Sequence, residues 1–170
     1  MALHIRYIND CDAPGFVDLL GGIFEHSPWV AERVYLLRPF SSLANLHEAM
    51  VNVVRQASSE KRLQLLQAHP ELAGKEAAAG KLTDASKREQ AGAGLNQCSA
   101  EELARIEQLN QAYAARFGFP FIIAVSGLDK LQIIAAMEQR LEHEADEEFA
   151  RALGEVEKIA LIRLEKLIDE

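Results

Sequence analysis

The chain is expected to fold as an all-α protein, and three observations carry that expectation. Apolar residues recur at helical spacing through almost every segment; the stretch 119–127 alone has strand-like composition; and Ser, Thr and Asp stand where helices would open, with Gly where they would stop. At 170 residues the chain fits a single domain, 1–170, built as a bundle of about eight to nine helices. A domain of that length buries about 70% of the surface of its unfolded form, enough for a core and an internal pocket.

Asp12-Ala13-Pro14 opens the first expected helix, which runs through Phe16, Leu19, Leu20 and Ile23. Ser27-Pro28 reads as an N-cap and first-turn proline for a helix through Trp29, Val30, Arg33 and Val34. The next starts near Ser42 and carries Leu43, Leu46, Met50, Val53 and Val54 on one face. After Ser58-Ser59 a shorter helix leads through Leu63, Leu65 and Leu66 to His69, where Pro70 disfavours helical backbone for the preceding residue. The imidazole is therefore placed where a helix gives way to a loop.

From Gly74 to Leu82 the chain is rich in Ala, Gly and Lys and reads as a weak helix or a loop. Thr83-Asp84 then begins a helical turn that ends at Gly92 and Gly94. Ser99-Ala100-Glu101-Glu102 has the form of a capping box, opening a helix through Leu103, Ile106, Leu109 and Tyr113 to a stop at Gly118. Phe119 to Gly127 contains Pro120 and has no partner strand, so it is expected to be a buried extended linker. Two helices close the chain, Leu128 to about Leu141 and roughly Asp146 to Ile168, with no break that marks a second domain.

Charge and motifs exclude several function classes. The 18 basic residues are scattered among 26 acidic ones, for a net charge of −8, which argues against nucleic acid or an anionic membrane surface as partner. No apolar run approaches a membrane span, and no N-terminal stretch resembles a signal peptide. Cys11 and Cys98 match no zinc or redox spacing, and His4, His26, His47 and His143 form no metal-binding arrangement. A P-loop, a Gly-x-Gly-x-x-Gly and a Gly-x-Ser-x-Gly are all missing from the sequence.

What remains is a proline-locked His69 followed by a Ser/Glu/Gln cluster. His69 has a structural alternative, an ordinary histidine beside a turn, and Ser86-x-x-Glu89 has another, a capping box. On the last helix Phe149, Leu153, Val156, Ala160, Arg163 and Leu167 follow a 4-3-4-3-4 spacing, which turns Arg163 toward the core. Its guanidinium either pairs with a structural carboxylate, snorkels to water, or reaches into a pocket to hold an anionic or carbonyl-rich ligand.

Four motifs in fixed order carry a resemblance: His69-Pro-Glu-Leu-Ala-Gly-Lys75, then Ser86-x-x-Glu89-Gln90 with Gly94-Leu95, then Phe119-Pro-Phe-Ile-Ile123, and Ile159-x-x-Ile162-Arg163-Leu164. Together they resemble the 2-oxo-4-hydroxy-4-carboxy-5-ureidoimidazoline (OHCU) decarboxylases, from about the first helix to the last. The resemblance implies an all-helical, cofactor-free enzyme that completes urate oxidation by converting the ureidoimidazoline to S-allantoin with loss of carbon dioxide. It places the catalytic histidine on His69 and its carboxylate partner on Glu89. Substrate-binding positions fall on Pro70, Ser86, Lys87, Arg88, Gln90, Phe121, Ile122, Ile123, Ala124, Val125 and Arg163. Family members often carry a basic residue where this chain reads Val125-Ser126-Gly127-Leu128.

The resemblance further implies a homodimer with a small ureide as substrate. The ending Leu167-Ile168-Asp169-Glu170 lacks a Ser-Lys-Leu type of address, so a cytoplasmic setting is expected. Two other readings stand beside it: an all-α interaction module in which His69 and Arg163 are merely structural, and a related decarboxylase acting on another ureide.

Overall fold

The structure, a computed structural model, describes residues 2–169. Its elements are β1 (Leu3–His4), α1 (Ile5–Asp10), α2 (Ala13–Leu20), α3 (Trp29–Tyr35), α4 (Leu43–Gln56) and α5 (Ser59–Gln67). They continue with α6 (Lys75–Ala78), α7 (Asp84–Gly92), a 3-10 turn (Leu95–Gln97), α8 (Ala100–Phe117), α9 (Lys130–Arg140), α10 (Ala145–Leu167) and β2 (Ile168–Asp169). The chain is all-α in class, as expected, and the weak Gly74–Leu82 segment contains the single turn of α6.

Most helix boundaries follow from local chemistry. Asp12, Ser42 and Ser58 each accept a backbone N–H of the first turn, and Ser99 with Glu102 forms the expected capping box. Gly118 ends α8 with φ 82°, a left-handed conformation that glycine adopts without the penalty of a Cβ. Several features differ from the sequence reading, among them the end of α2, which stops at Leu20 with Gly21 as its C-cap and leaves Ile23 beyond the helix. Ser27 does not cap α3: Pro28 holds that position, and the Ser27 hydroxyl donates instead to the Glu25 carbonyl. An additional helix, α1, precedes Asp12, capped by the His4 imidazole accepting from the Arg6 N–H. The short β1 and β2 pair in parallel, Leu3 with Ile168 and His4 with Asp169.

The chain forms two compact units, residues 2–68 with 157–169, and His69–Val156. In the first, Ile8, Phe16, Leu20, Val34, Leu46, Met50, Val54 and Leu66 are buried, as are Ala160 and Leu164 of α10. Two polar ties fasten α4 to α10 there: His47 Nε2 lies 2.9 Å from the Glu157 carbonyl, and Arg55 grips the Glu157 carboxylate with both Nε and Nη2 at 2.9 Å.

In the second unit the core centres on aromatic rings. Tyr113 meets Phe121 edge-on with centroids 5.4 Å apart and Phe119 at 5.8 Å, and Phe119 meets Phe149 at 6.0 Å. Ile106, Leu109, Ile133, Met137, Ala152 and Val156 fill the space around them.

Candidate active site

Within the second unit the candidate site residues fall on three pieces: the loop that carries His69, the helix α7, and the segment 119–127. His69 lies two residues beyond the end of α5 and is buried, 8% exposed. The loop after it is held at nearly every peptide group. Gln90 of α7 accepts from the Ala73 N–H at 2.9 Å and donates to the Glu71 carbonyl at 3.4 Å. Asn110 of α8 donates to the Leu72 carbonyl at 3.0 Å, and Glu76 accepts from the Glu71 N–H at 3.2 Å.

The loop is tight as well as tethered. Ala73 has φ 48°, a left-handed conformation costing a non-glycine residue about 1–2 kcal/mol, which the surrounding bonds must hold in place. A Cβ at Gly74 would lie 2.4 Å from the Glu71 Cβ, so glycine is required for the turn to close. Burial, and then the Glu76 carboxylate, raise the Glu71 carboxyl above its ordinary range.

On α7 the capping alternative for Ser86 does not hold. Thr83 is the N-cap, its hydroxyl accepting from the Ser86 N–H at 3.2 Å, so Ser86 sits inside the first turn. Ser86 and Gln90, four residues apart, are both buried on one face of α7, with Glu89 half-buried beside them. Lys87 and Arg88 are exposed. Gln90 thus docks that face onto the His69 loop, and its amide is engaged with loop backbone.

The third piece, Phe121 to Val125, runs without regular secondary structure and is buried except for a half-buried Ala124. Arg140 of α9 donates to the Ile122 carbonyl at 2.6 Å, and Glu155 of α10 accepts from the Ala124 N–H at 3.0 Å. Arg140 also pairs with Glu148, which in turn accepts from the Tyr113 hydroxyl at 2.6 Å and lies 3.1 Å from His143 Nδ1. Asn110 and Tyr113 stand three residues apart on α8, about 4.5 Å along its axis, so one helix face supports both the His69 loop and the 121–125 segment.

Arg163 is buried as its spacing predicts, and it belongs to the first unit. Its Nη2 lies 2.9 Å from Glu25 Oε1, and Nη1 donates to the Gly22 carbonyl at 3.2 Å and to the Ile23 carbonyl at 3.4 Å. The guanidinium therefore has a structural carboxylate as partner and ties α10 to the turn after α2.

Sequence reasoning missed Asn110, Arg140, Glu148 and Glu155. A signal was present for the last two: residues 148, 152, 155, 156, 160 and 163 share a helical face, so these acids lie on the same inward stripe as Arg163. Among the described residues no three His, Cys, Asp or Glu side chains gather as a metal-ligand set, and no helix is long and apolar enough to cross a membrane.

The match to known sequences decides the family. Residues 9–165 match the OHCU decarboxylase family over nearly the whole chain. The chain belongs to the OHCU decarboxylase family. Its relatives include the 2-oxo-4-hydroxy-4-carboxy-5-ureidoimidazoline decarboxylase of Haloferax volcanii, 47% identical over 162 residues covering 95% of this chain and 94% of that protein. The enzyme of the same name from Halalkalicoccus jeotgali is 43% identical, covering 97% and 92%. Among solved structures, the crystal structure of (S)-allantoin synthase superposes with a TM-score of 0.80 at 32% identity, over 98% of this chain and 55% of that one. As an OHCU decarboxylase family member the chain is a carbon–carbon lyase.

Proposed function

We propose that this protein converts 2-oxo-4-hydroxy-4-carboxy-5-ureidoimidazoline to S-allantoin, with His69 as the acid/base and Glu89 as its carboxylate partner. The observation that carries the reading is the docking of α7 through Gln90 onto the loop that begins at His69. It brings the Ser86-x-x-Glu89-Gln90 face against the buried histidine's own loop. Pro70, Ser86, Gln90 and the backbone of Phe121 to Val125 are read as lining the substrate pocket. Lys87 and Arg88 belong to the same stretch, at its exposed edge. Arg163, which the family resemblance also places among the substrate-binding positions, is paired with Glu25 within the first unit.

The chemistry suits such a site. The scissile carboxylate sits on a ring carbon next to a C=N bond. When the bond to the carboxylate breaks, its electron pair forms a ring C=C bond, and the C=N electrons move onto nitrogen, which takes up a proton. Carbon dioxide leaves, and the resulting enol becomes the ring's amide carbonyl as a proton is added to the ureido-bearing carbon. The ring itself accepts the electrons, so the reaction is read as cofactor-independent. A proton delivered from one side yields a single enantiomer; an imidazole, whose ordinary pKa is about 6.5, suits that transfer near neutral pH. Residues 1–170 are read as one catalytic domain in a cytoplasmic setting, assembled as the homodimer that the family resemblance implies.

Circular dichroism of freshly generated ureidoimidazoline, made from urate by an oxidase and a hydrolase, tests the proposal. Wild-type protein should bring up the S-allantoin signal rapidly, whereas His69→Asn and Glu89→Gln should fold normally and leave slow, racemic decay. Wild-type rate and chirality in either variant would reject its assigned role. Equal decay with and without wild-type protein would reject this substrate in favour of another ureide.

A further inference from the structure

The 121–125 segment poses a problem of hydrogen-bond accounting. It is buried, yet among the described residues its peptide groups from Phe121 to Ala124 make no backbone–backbone hydrogen bond. In place of neighbouring strands it has two oppositely charged side chains, the Arg140 guanidinium on the Ile122 carbonyl and the Glu155 carboxylate on the Ala124 N–H. Both charges are almost fully buried, at 2% exposure each.

These contacts fix a direction. Both peptides flanking Ile123 are trans, and in a planar trans peptide the C=O and N–H point opposite ways. With the Ile122 carbonyl turned to Arg140, the Ile123 N–H is turned away from it. With the Ala124 N–H turned to Glu155, the Ile123 carbonyl is turned away likewise. Ile123 therefore offers a donor turned away from Arg140 and an acceptor turned away from Glu155, the pair of groups that the adjacent C=O and N–H of a ureide or cyclic amide would take.

We propose that Arg140 and Glu155 are positioning residues for the decarboxylation, locking Ile122 to Ala124 so that the Ile123 peptide groups hold the substrate's amide edge. This rests on the reading that 121–125 lines the substrate pocket. A buried ion pair gives little net stability over apolar residues of similar size, whereas a planar guanidinium held on its other side enforces geometry. Arg140 is held in that way: Glu148 grips it, Tyr113 and His143 bond to Glu148, and the Phe121 ring lies 4.4 Å from its Cζ. Glu155 is held by Arg151 Nε at 3.2 Å.

The test compares Glu155→Gln, which keeps a carbonyl oxygen for the Ala124 N–H, with Glu155→Met, which removes it at similar volume. Kinetic constants and product chirality are measured on ureidoimidazoline beside wild type, at a temperature where circular dichroism shows each variant folded. Glu155→Met should raise KM and lower kcat/KM by about tenfold to a hundredfold, the loss expected when a binding surface shifts by about an ångström. Glu155→Gln should stay near wild type. Should Glu155→Met fail to fold, Arg140→Lys, which keeps the charge but not the fork, is expected to show the same KM effect. An active wild type with unchanged kcat/KM and chirality in Glu155→Met overturns this inference alone, and unfolding of both Glu155→Met and Arg140→Lys does the same by making the pair a folding requirement. An inactive wild type overturns the function on which the inference rests.

Discussion

Replacing Tyr113 by Phe isolates one bond at the centre of the second unit. The ring keeps its edge-on contacts with Phe119 and Phe121, and only the hydroxyl that donates to Glu148 at 2.6 Å is removed. Tyr113 and Glu148 are both fully buried, so water does not replace the bond. Glu148 retains Arg140 and His143, so no charge is stranded, and the cost should be that of one bond to a charged acceptor, about 1.5–3 kcal/mol. In a domain of this length each kcal/mol moves Tm by about 2–4 °C, so the midpoint should fall by about 3–12 °C.

The same variant should change the alkaline limb of stability. Burial first, and the Glu148 bond second, push the Tyr113 phenol well above its ordinary value near 10. The folded state therefore holds this proton more tightly than the unfolded one. Its contribution is fully present below about pH 10 and is lost as pH rises above that value, where the unfolded chain ionises first. Thermal melts by circular dichroism at pH 7 and between pH 9 and 11 measure both effects, and a double-mutant cycle with Glu148→Gln reports the coupling. A midpoint within about 1 °C of wild type, with an unchanged alkaline limb, would refute the reasoning from burial and bonding.

Two further outcomes follow from the His69 loop. Gln90→Met removes the bonds to Ala73 and Glu71 but also lets Ala73 leave its left-handed conformation, so Tm should fall by only a few degrees, about 0–6 °C, while turnover of ureidoimidazoline is largely lost. A melt and an activity assay on the same sample separate the two effects. Glu71→Gln should be neutral to stabilising at pH 7: with the folded carboxyl raised by burial and by Glu76, wild-type stability falls as pH rises through the window just above the ordinary carboxylate value. Melts from pH 4 to 7 should show the variant lacking that decline.

Features set by short-range interactions were legible in the sequence, and those set by long-range ones were not. The capping box of Ser99 and Glu102, the caps at Asp12, Ser42 and Ser58, and the stop at Gly118 were legible because each joins groups within four residues, where spacing alone dictates who meets whom. Ser86 and Ser27 show the limit of that rule. Both had the right neighbours for a cap, but Thr83 three residues earlier took the role from Ser86, and Ser27 turned its hydroxyl to Glu25.

The sequence by itself determined the all-α class, most helix boundaries, the inward turn of Arg163 and the family, since helical period and ordered motifs are properties of the chain. Only the tertiary structure decided that Gln90 grips the loop after His69 and that Asn110 holds Leu72. The same holds for Arg140 and Glu155, which hold the segment between Ile122 and Ala124. These partners lie 17 to 38 residues apart in the chain. Glu, Arg and Asn at such positions read as solvated side chains until packing removes water. A buried peptide group must then find a partner inside the protein, and the fold decides which side chain is within reach.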